Sequence, residues 1–170
     1  MSNPTAADSH TAIASQNAIT AWKQNVAEVD AVLKALDDAG LQRTVAADRN
    51  RVYYLVGHLV AVHDRIFPLL RLGARKYAAL DEEFITQRDN AGSKSGTTAA
   101  DLRTAWTDVN SRLAAAFDAL QPAEWFERHD NVSPEGFAKE PQRNRLAVLL
   151  SRTNHMAMHV GQMRLALPRG

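Results

Sequence analysis

Cysteine is absent from the 170 residues, which excludes a thiol nucleophile, a disulfide framework, a thiolate zinc site and a cysteine-ligated iron–sulfur cluster. An excess of one charge is absent too. Twenty Lys+Arg stand against 19 Asp+Glu for a net charge of +1, so no overall field favours nucleic acid through counterion release. Arg143, Arg145 and Arg152, spread through a helical pattern, make only a thin basic patch. No apolar run reaches the about 18 residues of a membrane-spanning helix. Residues 1–10 lack the basic and apolar regions of a secretory signal. The expectation is a soluble cytoplasmic protein with neither a nucleic-acid nor a membrane partner. No period of 20 to 50 residues repeats, and no strand-like alternation stands out. The length and the 45% apolar composition fit one domain over residues 1–170, with residues 1–10 flexible.

What the chain does contain is helical periodicity. Ile13, Ile19, Trp22, Val26, Val29, Val32, Leu33 and Leu36 recur mostly at three- and four-residue steps, which predicts an amphipathic helix from Thr11 to about Asp38, ended by Gly40. Asp48 or Asn50 is placed to cap a second helix through Val52, Leu55, Leu59, Val62 and Ile66, which stops or kinks at Pro68. Tyr77 to Gln87 reads as a short helix and Arg88 to Gly96 as a loop. Thr98 with Asp101 forms a capping box ahead of Leu102, Trp106, Val109, Leu113, Phe117 and Leu120. Pro122 opens a turn holding Trp125 and Phe126. His129 to Pro141 connects to a last helix from Gln142 to Leu167, stopped by Pro168. Four long helices with polar loops favour an all-α antiparallel four-helix bundle. The second helix is apolar on nearly all sides, with Val56, Val60, His63 and Phe67 opposite the His58 stripe, so a homodimer is expected to cover part of it.

The chemistry concentrates in the last helix. At about 100° per residue, His155 and His159 lie about 40° apart around the axis and leave one face a single turn apart. That geometry suits two ligands of one divalent metal. Gln162 falls on the same stripe, about 20° to the other side of His155, as a hydrogen-bond partner of the ring or a contact to bound ligand. A catalytic metal usually takes three protein ligands and keeps an open position. His58 is the best third candidate, since it points where the second helix buries its side chains. His63 lies about 140° further round and reads as a packing or interface residue. His129 in a loop and His10 near the terminus are weaker choices. Asp64 turns about 120° away from His58, and no acidic residue makes a His-Glu-x-x-His motif, so no general base stands out.

A histidine early in the second helix, followed nearly a hundred residues later by His-x-x-x-His-x-Gly-Gln, resembles the DinB/YfiT-like family of bacterial four-helix metalloproteins. The resemblance runs along the whole chain in helix order and spacing; its specific part is His58 and the segment from His155 to Gln162. It implies that His58, His155 and His159 correspond to the family's metal triad, holding zinc, nickel or another divalent ion such as manganese or iron. It also implies an activity among those of the family: S-transferases and isomerases dependent on mycothiol or bacillithiol, or hydrolases. Without cysteine, any thiol must arrive as a low-molecular-weight cosubstrate, so transfer of such a thiol to a small electrophile is the leading expectation. Hydrolysis, or a non-catalytic metal- or ligand-binding protein, is the alternative.

Overall fold

The structure is a computed structural model describing residues 6–89 and 96–168. Its long helices are α1 (Ala6–Ala35), α3 (Val52–Asp64), α5 (Ala99–Ala119) and α7 (Arg145–Arg164), and short helices α2 (Asp38–Leu41), α4 (Ile66–Leu69) and α6 (Pro134–Lys139) lie in the connections. No strand forms among the described residues, so the fold is all-α. No described helix is long and apolar enough to cross a membrane.

Local chemistry explains where the helix ends depart from the sequence expectation. Helix α1 stops at Ala35 because Arg103, reaching over from α5, donates to the carbonyls of Leu33 and Leu36 at 2.5 and 2.6 Å. Asp37 then caps a separate one-turn helix by accepting from the Gly40 amide at 2.7 Å, so Gly40 sits inside α2 instead of ending α1. Neither Asp48 nor Asn50 caps α3. The turn before it folds back on itself, Val45 N donating to Asn50 O at 3.0 Å, and Arg51 becomes the capping residue. Its amide is satisfied by Asp89, at 2.6 Å, whose carboxylate also holds the Arg51 guanidinium. Pro68 produces a kink, displaced to Arg65 between α3 and α4, because its ring crowds the carbonyl one turn back, at Asp64. The Thr98–Asp101 capping box is present.

Residue pairs fix the helix directions. Lys23 meets Asp118 and Asp30 meets Trp106, so α1 and α5 are antiparallel. Tyr53 reaches Thr97 and His63 reaches Asn110, so α3 and α5 run parallel. His58 faces His155, while Val62, further along α3, and Arg152, earlier on α7, line one cleft, so α7 opposes α3. The bundle therefore has two parallel neighbour pairs, α3 with α5 and α1 with α7, the C-terminal parts of the latter two meeting through Glu28 and Arg164; the connection between α4 and α5 is long enough to carry the chain back along its length. The segment expected as a helix from Tyr77 to Gln87 is a 3₁₀ turn, Ala78–Leu80, followed by a π-helical turn, Glu82–Thr86. Asp64, fully buried, anchors that crossover by accepting from Arg75 Nε and from the amides of Lys76 and Tyr77 at 2.9–3.0 Å. Arg75 and Arg65 also grip Asp81 and hold its carboxyl down to about 2.

Val56, Val60, His63 and Phe67, the surface that prompted the homodimer expectation, are buried within the single chain. Trp22 of α1 and Trp106 of α5 pack against His63. The Asn110 amide donates to Trp106 O, so its oxygen accepts from His63 Nδ1 at 2.7 Å; His63 Nε2 is buried with no partner. A second ring proton would have no acceptor, and burial lowers the His63 pKa to about 4. The unfolded chain therefore takes up this proton first as pH falls below about 6.5. Stability above that pH is unaffected by His63 and drops between 6.5 and 4, by up to about 3 kcal/mol. Urea unfolding at pH 7 and pH 4.5 tests this: wild type should lose more stability across the interval than His63→Leu. Equal losses would refute the assignment.

Candidate metal centre

Two helices bring three imidazoles to one point. His58 lies near the middle of α3, and His155 and His159 lie one turn apart on α7. Their ligand atoms all fall within 4.8 Å of one another. His155 Nε2 is 3.3 Å from His58 Nε2 and 3.1 Å from His159 Nε2. His159 is 8% exposed, and the other two are half-buried.

The far side of two rings is fixed. His58 Nδ1 lies 2.8 Å from the Phe84 carbonyl and donates to it. His159 Nδ1 lies 2.7 Å from Gln162 Oε1 and donates likewise, which is where the sequence pattern set Gln162. With those protons spent, the Nε2 atoms of both neutral rings present lone pairs to His155 Nε2. At most one proton is available among three nitrogens in hydrogen-bonding contact. Such a point favours a cation. Metal–nitrogen bonds of about 2.0–2.1 Å in a tetrahedron separate the nitrogens by about 3.3 Å, close to the distances here. The residues present thus fit a divalent ion.

Electrostatics keeps the rings neutral. Burial lowers all three pKa values. For His155 the charges of His159, His58 and Arg152 add to burial and bring it to about 4. Neutral imidazole is the ligating form, so near pH 7 few protons compete with a metal. Arg152 and Arg65 also lower His58.

The other histidines stand apart. His63 is in the core, His10 is exposed on α1, and His129 is in the α5–α7 connection with Nδ1 buried and unpartnered. Three participants were missed from the sequence. Phe84 orients His58 through a backbone carbonyl, which no side-chain pattern reveals. Gly57 allows it, because a Cβ there would lie 2.4–2.7 Å from three Phe84 ring carbons; a glycine in mid-helix beside a histidine was the available signal. Tyr54 stacks on His58, 11° from coplanar, and is anchored by its hydroxyl to Gln87 O.

The DinB superfamily model matches residues 21–163, a span that includes all three histidines and Gln162. No curated protein matches the chain.

Proposed function

The chain belongs to the DinB superfamily, and from that premise we propose that it is a metal-dependent transferase joining a low-molecular-weight thiol to a small electrophile. The observation that carries this reading is the convergence of three Nε2 atoms whose rings are oriented by Phe84 O and Gln162. An all-imidazole site suits zinc or nickel, with manganese or iron as alternatives. A divalent ion held there supplies Lewis acidity, lowering the pKa of what it binds toward neutrality.

The protein's own residues supply the rest. His58 and His159 are held in one ring orientation by their acceptors, so the open side of the site has a fixed direction. Tyr54 covers one face of His58. Arg152 and Arg65 give the site a positive potential that favours an anionic thiolate over the thiol. In the transfer, the thiol proton leaves to solvent, the sulfur lone pair forms the carbon–sulfur bond, and the electrophile's leaving group departs with its bonding pair.

The thiol reading is preferred to hydrolysis because the positive potential of Arg152 and Arg65 at the rings favours an anionic ligand, and a thiol ionises readily without a general base. Protein reconstituted with zinc, nickel, manganese or iron should conjugate mycothiol, bacillithiol or a simpler thiol to monochlorobimane, releasing chloride. His159→Ala should abolish the rate above background. If no metal form conjugates a thiol or cleaves an ester or amide faster than metal-free protein, the catalytic reading gives way to a metal-binding protein without catalysis.

A further inference from the structure

A cleft of about 330 Å³ opens between α3–α4 and α7. Its walls include Val62 and Ile66 from one side, Arg152 from the other, and Asn131 from the α5–α7 connection. Val62 follows His58 by four residues and Arg152 precedes His155 by three. Because α3 and α7 are antiparallel, both steps lead the same way along the bundle, by about 4.5–6 Å at 1.5 Å per residue. The cleft therefore begins about one turn from the imidazoles.

Its charges are unevenly matched. Arg65 pairs with Asp81, and Arg75 with Asp81 and Asp64. Asp130 pairs with Arg71. Arg152, half-buried, has no carboxylate partner among the described residues. A guanidinium partly removed from water presents a planar fork of donors that matches a carboxylate bidentately. One unneutralised cation beside the anionic Asp130 suits a monoanion better than a phosphate dianion.

We infer that this cleft is a carboxylate subsite, in which Arg152 holds the carboxylate of a small reactant whose reacting atom lies at the three imidazoles. The inference rests on the metal-dependent reading for that second contact, while the carboxylate contact belongs to the cleft alone. It narrows the substrate class to compounds in which a few atoms separate a carboxylate from a sulfur or an electrophilic carbon.

The test has a metal-free and a metal-loaded arm. In metal-free protein, the ¹⁵N Nε–H signal of Arg152, identified by its loss in Arg152→Lys, should shift saturably with propionate and not with propanol. In cobalt-loaded protein, 3-mercaptopropionate should bind about tenfold or more tightly than 3-mercaptopropanol, read from the thiolate charge-transfer band. Arg152→Gln should reduce that preference to within about twofold, and Arg152→Lys, lacking the fork, should restore only part of it. If the electrophile carries the carboxylate, the preference appears instead as a higher rate ratio of iodoacetate to iodoacetamide with a neutral thiol, again lost in Arg152→Gln. A propionate shift without cobalt binding supports the subsite and removes the metal reading. Cobalt binding with no propionate shift and no Arg152-dependent preference in either pair overturns the subsite and leaves the metal reading standing.

Discussion

His155→Ala purified without a nickel column should carry no stoichiometric divalent ion, whereas the wild-type chain should carry one. His155 Nε2 is the atom in contact with both other ring nitrogens, so its removal leaves His58 and His159 without the nitrogen that both approach. Two imidazoles from separate helices bind far more weakly than three, because a catalytic-type site needs three protein ligands. His58→Ala and His159→Ala should behave alike. His10→Ala should keep one ion per chain, being remote on the exposed face of α1. Elemental analysis of the four variants and wild type decides the matter. A full complement of metal in His155→Ala would overturn the assignment of the site.

The components of that site differ in how legible they are in sequence. His155, His159 and Gln162 share one helix, and a fixed angle per residue places them on one stripe without knowledge of the rest of the fold. His58 required the additional judgement that its helix face points inward, and the structure brings it to the pair. The Phe84 carbonyl was hidden, because a main-chain acceptor has no residue-specific signature and its π-helical turn has none of the apolar periodicity of the long helices. The fold shows the same division. The four long helices and the Thr98 capping box follow from local spacing and capping chemistry. The end of α1 does not, because it is set by Arg103 from a helix distant in sequence. Nor does the covering of α3, whose apolar circumference pointed to a second copy but is filled by Trp22, Trp106 and the crossover.

Gly57→Ala should destabilise the protein and weaken its metal site together. Alanine is the better helix former by about 1 kcal/mol, so an exposed glycine at this position would be improved by the change. Here the new Cβ would lie 2.4–2.7 Å from three ring carbons of Phe84. Phe84 is fully buried, with Tyr53 and Tyr54 ring centroids 5.6 and 5.8 Å from its own, and cannot simply swing aside. Overpacking of this kind costs about 1–3 kcal/mol. Moving Phe84 also moves the carbonyl that orients His58, and loss of such an outer partner lowers metal affinity about 10- to 100-fold. Urea unfolding of metal-free protein and a chelator competition separate the two effects. Adding Phe84→Leu should recover stability by making room for the methyl group. Unchanged metal affinity in Gly57→Ala would show that the Phe84 carbonyl does not govern His58.

The placement of the three imidazoles also orders events during folding. Residue 58 is separated from residues 155 and 159 by the crossover, α5 and the connection to α7, so their encounter joins parts of the chain that are distant in sequence. During synthesis the centre cannot exist until α7 has left the ribosome and docked against α3. An ion that binds only the docked state stabilises that docking by mass action, by about 2.7 kcal/mol at a free concentration one hundred times its dissociation constant. The apparent melting temperature then depends on metal supply.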